Sequence, residues 1–350
     1  MDSFKEIVHT AVERDASDLH MTVGLPPIYR IDGDLVDAAD TPLTEEDVVS
    51  VVRLLANDKQ IEELKRSGEV DFAVTFDGEI RMRCNAFYQQ GRTALALRML
   101  PLKIPTLQSL DMSDIFIEMA EKPRGLVLLT GPTGSGKSST LAAMLDHIKH
   151  TRRRHIITLE NPIEFIYKPD KCIINQREVG DDTDSFAAGL RAALRQDPDV
   201  ILVGEMRDLE TIRTAMTAAE TGHLLMATLH TRGAVNTIDR VIDAFPADQQ
   251  GQIRIQLSCV LRTVVSQQML PDVNGGLVPA FEIMHMTGAV RSMIRDSKTH
   301  QIPGVIAAGG DEGMVSMDQS IFDLYRTGRI TAQTALEYAD NPEQMQRRMN

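Results

Sequence analysis

The chain has 350 residues, 43% hydrophobic and 25% charged, which supplies a packed core for roughly two to three domains and excludes a disordered protein. A net charge of −13 and the absence of tryptophan argue against a long nucleic-acid track as partner, since such a surface needs clustered cations and stacking aromatics. Cys84, Cys172 and Cys259 stand too far apart for a disulfide framework or a C-x-x-C metal site. The first residues show no signal-peptide pattern and no run of about 18 apolar residues occurs, so a cytoplasmic protein with reduced thiols is expected.

Residues 2–15 and 44–66 have apolar positions at helical spacing, with Val48, Val51, Val52 and Leu55 on one stripe. Short strands are expected at 28–36, 70–76, 79–88 and 93–100, separated by Asp32-Gly33, Asp77-Gly78 and Gly91. This predicts an α+β module over 1–100. A proline-punctuated stretch from Leu100 to Thr106 sets a linker at 101–112, and a helix near 113–122 opens the remaining region, 113–350.

From 125 onward apolar strands alternate with amphipathic helices, the pattern of a parallel sheet with crossover helices, so the fold class is α/β. Strands are expected at 125–130, 155–159, 200–203 and 224–229. The helices between them carry Phe186, Leu190, Ala193 and Leu194, then Leu209, Ile212, Met216 and Ala219, then Val235, Ile238, Ile242 and Phe245. Asp208 is placed to cap the second of these and Gly222 to end it. Beyond 247 the pattern reads as mostly helical, with Ile253, Leu257, Val260 and Val264 as a further stripe.

The first of these strands runs directly into Gly131-Pro132-Thr133-Gly134-Ser135-Gly136-Lys137-Ser138, a complete G-x-x-x-x-G-K-[ST] match with a helix-compatible segment after it, beginning Ser139-Thr140-Leu141. The glycines let backbone N–H groups turn inward around phosphate oxygens. Lys137 brings a point charge to them, the Ser138 hydroxyl can ligate Mg²⁺, and the helix start adds its dipole. Nucleotide binding follows, with ATP and Mg²⁺ as the expected ligands. Hydrolysis further requires carboxylates at the carboxyl ends of neighbouring strands. Val200-Ile201-Leu202-Val203-Gly204-Glu205 resembles a Walker B strand with Glu205 on the metal side. Ile156 to Glu164 delivers Glu160 and Glu164 into another strand-end loop. His223 and His230 flank strand 224–229 and lie up to about 23 Å apart along an extended chain, too far to share one metal. They read either as structural histidines or as polar sensors beside the nucleotide. Arg81, Arg83, Arg92 and Arg98 cluster in the first module, either as a solvated face or as arginine fingers for a phosphoryl group.

Taken in order, the phosphate loop, the Glu160–Glu164 loop, Gly204 to Asp208, and Ala219 to His223 through Thr228 to Thr231 resemble the Walker A, Asp, Walker B and His boxes of the secretion ATPase superfamily. The wording is closest to the PilT-type retraction ATPases of type IV pili, which drive twitching motility. Ala16 to His20, Asn175 to Gly180 and Ala289 to Asp296 extend the resemblance over nearly the whole chain; the last resembles a segment that the retraction subgroup needs for motor output. The resemblance implies a homohexamer, each subunit with a PAS-like N-terminal domain and a RecA-like P-loop ATPase domain ending in a mostly helical part.

It further implies that residues 131–139 bind nucleotide together with His223, that Ser138 and Glu205 serve the metal, that Glu164 activates water, and that His230, Arg81 and Arg98 assist. The partners it implies are an inner-membrane pilus platform protein, through which alone the ring meets the membrane, and a paralogous accessory retraction ATPase; no nucleic acid is expected. One position departs from the family pattern, Asn161 standing where Asp is usual, and an amide cannot act as base or charged metal partner. A PilU-like accessory motor and an extension or type II secretion ATPase are the neighbouring alternatives. The three scattered cysteines cannot form the four-cysteine zinc module common in extension and type II secretion ATPases. A non-hydrolysing nucleotide-gated assembly protein is the alternative from another class, against which Lys137, Glu164 and Glu205 all speak.

Overall fold

The structure, a computed structural model, describes residues 2–78, 80–100, 103–110 and 112–350. Glu79, at the start of the strand expected at 79–88, and Pro101, Leu102 and Asp111 of the expected linker lie outside the described residues. The chain divides into two compact units, Met1–Lys103 with Pro162–Ile166, and Ile104–Asn161 with Tyr167–Asn350.

The first unit contains α1 (Asp2–Glu13), β1 (Asp18–Thr22), β2 (Ile28–Ile31), β3 (Asp34–Asp37), α2 (Glu45–Leu55), α3 (Asp58–Ser67), β4 (Glu69–Phe76), β5 (Ile80–Gln89) and β6 (Arg92–Met99). Its sheet runs β3-β2-β1-β6-β5-β4 with every pair antiparallel. Val48, Val51, Val52 and Leu55 of α2 and Phe4, Val8 and Ala11 of α1 share one core with Leu19, Met82, Cys84, Ala86, Leu95 and Leu97 from the strands. The helical stretch expected at 44–66 is two helices. Asn57 and Gln60 exchange side-chain bonds to each other's backbone N–H, and this capping box starts a second helix where one was expected. Strand β1 has no counterpart among the expected strands; only its buried Leu19 and Met21 alternate, between polar neighbours.

The second unit contains α4 (Asp114–Ala120), β7 (Gly125–Thr130), α5 (Lys137–Thr151), β8 (His155–Glu160), β9 (Ile173–Glu178), α6 (Phe186–Ala193), β10 (Val200–Val203), α7 (Leu209–Glu220), β11 (Leu224–Leu229), α8 (Ala234–Asp243), α9 (Gln250–Val260), β12 (Leu261–Pro271), β13 (Leu277–His285), α10 (Gly288–Arg295), α11 (Ile302–Ala308), α12 (Met317–Arg326), α13 (Ala332–Tyr338) and α14 (Pro342–Met349). Its sheet runs β13-β12-β7-β11-β10-β8-β9. Only the β12–β13 pair is antiparallel. The central strands β7, β10 and β11 are buried at every position, as expected of parallel strands covered by helices on both faces. Asp208 caps α7 by accepting the Thr211 N–H at 2.8 Å, and Gly222 follows its end at φ 113°.

The C-terminal part is helical from α10 onward, but the stripe expected over 253–264 does not continue as one helix. Helix α9 stops at Val260, and Val264 lies on β12, which pairs in parallel with β7. Thr263, Val264 and Val265 crowd a helix and suit a pleated strand, and Asn274-Gly275 supplies the turn residues of a hairpin.

Burial separates the three thiols. It pushes Cys84 up to about 12 and raises Cys172 as well, while Cys259 is exposed. Because the thiolate is the reactive form, Cys259 alone should label rapidly with a thiol reagent near pH 8, and all three should label after unfolding in guanidinium, as read by mass spectrometry.

Candidate nucleotide site

The parallel order brings four strand ends to one edge. Thr130 at the end of β7 is paired with Leu229 at the end of β11, Val203 of β10 with Ala227 of β11, and Val203 with Leu159 of β8. The loop 131–136, the Gly204–Glu205 turn, Glu160 and His230 therefore emerge from the carboxyl edge of one sheet, where α/β proteins hold their ligands.

The loop is held from behind by a strand absent from the sequence-based expectation. Gly131 has φ 141°, and a Cβ there would lie 2.2 Å from the Gln267 carbonyl oxygen of β12. Gly136 has φ 83°, and a Cβ there would meet the Gln267 side chain at 2.9 Å. Gln267 also accepts the Thr140 hydroxyl of α5 at 2.9 Å, so one buried side chain braces both the loop and the helix that follows it. Lys137 Nζ donates to the Gly131 and Pro132 carbonyls at 2.8 Å each, which closes the loop around its own cation. Ser135 Oγ is buried in this loop with no hydrogen-bond partner among the described residues. A cradle of glycine backbone with a buried cation and an unused hydroxyl fits a phosphate group. Ser138, beside Lys137 in the first turn of α5, and Glu205, at the same sheet edge, carry the kind of oxygen donors that a magnesium ion takes.

On the neighbouring strands the Gly204–Glu205–Met206 turn is pinned from both sides. The Gly204 N–H donates to Leu159 O at 2.8 Å, the Met206 N–H donates to Thr228 O at 3.0 Å, and the Thr228 hydroxyl returns a bond to Gly204 O. Glu205 then meets His230 Nε2 at 3.0 Å and also pairs with Arg207. Glu160 accepts the Thr158 hydroxyl at 2.6 Å. His223 stands at the amino end of β11, the opposite edge of the sheet from the loop, with its Nδ1 2.9 Å from Ala218 O. The two histidines are thus separated along β11, and of the two His230 is the one that meets Glu205.

Arg81, Arg98 and Glu164 belong to the first unit, together with the segment Pro162–Ile166. Arg81 Nε donates to Ile163 O at 3.3 Å, next to Glu164, and Arg98 Nε pairs with Asp18 at 2.9 Å. Arg81 and Arg83 point away from the core between the buried residues Ile80, Met82 and Cys84, and Arg83 faces Asp71 at 3.8 Å. Gln267 and Thr140 were not legible as site residues from motifs; the β-branched run 263–265 was the one signal that a strand passes behind the loop.

A central parallel sheet with a glycine loop after one strand and a histidine-paired carboxylate after another defines a P-loop nucleoside triphosphatase of the RecA-like type. The chain belongs to the family of type II/IV secretion system proteins, whose family model matches residues 2–300. It is 47% identical over 338 residues to the type IV pilus retraction ATPase PilT of Pseudomonas aeruginosa, covering 97% of this chain and 98% of that protein. It is 39% identical to the type IV pilus ATPase PilU of the same organism, covering 97% of this chain and 89% of that protein. A crystal structure of the pilus retraction motor PilT with bound ADP superposes with a TM-score of 0.92 at 47% identity and covers 98% of both chains.

Replacing Gly131 by alanine drives a methyl into the Gln267 carbonyl. With strain of about 1–3 kcal/mol transferred to the loop, nucleotide affinity should fall on the order of ten- to a hundredfold while far-UV circular dichroism stays unchanged; titration with a fluorescent ATP analogue measures it.

Proposed function

We propose that this protein is a motor ATPase that hydrolyses ATP to withdraw type IV pili. The observation that carries the reading is the Glu205–His230 contact at 3.0 Å on the sheet edge that also bears the Gly131–Ser138 loop. A binding module has no use for a carboxylate oriented by an imidazole at that place. The identity to PilT, higher than to PilU, supports retraction over the accessory role.

In this reading the backbone N–H groups of the non-proline residues among 131–139 hold the β- and γ-phosphates and Lys137 offsets their charge. Ser138 and Glu205 would hold a magnesium ion, which when bound would supply charge neutralisation to the phosphates. Glu205 is held in place by His230 and Arg207, and Glu164 orients the attacking water. Arg81 and Arg98 supply positive charge to the γ-phosphate of a neighbouring subunit, whereas the nucleotide role expected of His223 is withdrawn, because this side chain stands at the opposite sheet edge against Ala218 O. With Asn161 in place of the family's aspartate, Glu164 carries water activation in this loop without a second carboxylate at that position.

The proposed domains are a PAS-like domain over 1–100, a linker at 101–112 and the ATPase domain over 113–350. The working assembly is a homohexamer in the cytoplasm at the pilus base, acting on an inner-membrane platform protein, with a paralogous accessory motor beside it. Among the described residues no helix is long and apolar enough to cross a membrane.

Steady-state phosphate release tests the enzyme. Lys137→Ala should abolish turnover, and Glu164→Gln should lower it about 100-fold or more with ATP still bound, because a positioned base contributes on the order of 10²–10⁴. Turnover unchanged in both variants would contradict the mechanism.

A further inference from the structure

The turn that carries His230 to its carboxylate is short. Leu229 ends β11, and α8 begins at Ala234 with Gly233 as its N-cap. Gly233 has no side chain with which to satisfy the first N–H groups of the helix, which must find acceptors elsewhere. Both come from the β12–β13 hairpin. Ser266 Oγ accepts the Gly233 N–H at 3.0 Å, and Glu282 Oε1 accepts the Ala234 N–H at 2.7 Å. Inside the turn, Thr231 and Thr237 hydroxyls meet at 2.7 Å and Thr237 donates to Gly233 O at 2.7 Å. Residues 230–233 are thereby clamped between β11 at one end and the hairpin at the other, the same hairpin whose Gln267 braces the phosphate loop.

Glu282 is a costly choice for a cap. Burial raises its carboxyl above the usual range and Asp340 and Asp318 push in the same direction, offset in part by the Ala234 N–H. It lines a cleft of about 410 Å³ with Arg232, Ser266 and Asp340. A neutral side chain would cap α8 without that penalty.

We infer that Glu282, seconded by Ser266, is a positioning residue for hydrolysis: by anchoring the start of α8 it holds the His230 imidazole against Glu205. This rests on the ATPase reading above and adds to it a residue outside every nucleotide-binding motif. Its effect passes through His230, so it should appear in turnover and not in ATP binding.

A double-mutant cycle on the full-length chain tests it, with kcat and KM for ATP measured for Glu282→Ala, His230→Ala and the pair, alongside thermal unfolding. Loss of one cap corresponds to roughly a fivefold fall in kcat, with KM within about twofold. The pair should turn over no more slowly than His230→Ala alone, and Glu282→Gln, which keeps an acceptor oxygen, should regain most of the loss. Should Glu282→Ala fail to fold, Ser266→Ala enters the same cycle, since it frees the adjoining N–H. Multiplicative losses in the pair, a loss confined to KM, or Glu282→Gln as slow as Glu282→Ala would overturn the inference and leave the ATPase reading intact. His230→Ala with unchanged turnover would overturn the inference together with the role of His230.

Discussion

The site depends on the close approach of the phosphate loop to strand β12. Gly131 sits so near the Gln267 carbonyl that no side chain fits, and its φ of 141° belongs to glycine. The loop therefore cannot carry a side chain at Gly131 or shift toward β12 without moving that strand, and β12 is locked by parallel pairing to β7 and antiparallel pairing to β13. A preformed cradle binds phosphate without the ordering cost that a loose loop would carry. The same hairpin supplies the acceptors for α8, so the phosphate loop and the histidine turn share one foundation.

Much of this was legible in the residues. The loop at 131–138, the fully apolar strands β7, β10 and β11 and the Asp208 cap each follow from a local rule with one solution: glycines where the backbone must turn inward, continuous apolar runs where both sheet faces are covered, an acceptor where a helix starts. The strand-end positions of Glu205 and His230 followed from the parallel order. Their 3.0 Å contact did not, because it depends on how two loops from different strands lean toward each other.

The misreadings have one cause, a local pattern overruled by its surroundings. The stripe at 253–264 has helical spacing, yet residues after Val260 become strand because β7 offers an unsatisfied parallel edge and the β-branched run 263–265 accepts it. Similarly the 44–66 stretch is apolar at helical spacing throughout, and only the Asn57–Gln60 exchange splits it. Gln267 and Glu282 were invisible for a related reason. A glutamine or glutamate inside an apolar stretch carries no motif, and its meaning comes from the backbone groups that the sheet brings within reach.

Retraction is the claim on which the functional account stands, and imaging of labelled pili on living cells tests it most directly. Cells lacking the gene, complemented with either the natural protein or Glu205→Gln, should separate cleanly. The natural protein should restore shortening of extended pili. Glu205→Gln should leave pili that grow and do not shorten. Cells without the gene that make no pili, which is the mark of an extension motor, or pili that shorten normally with Glu205→Gln, would contradict the account.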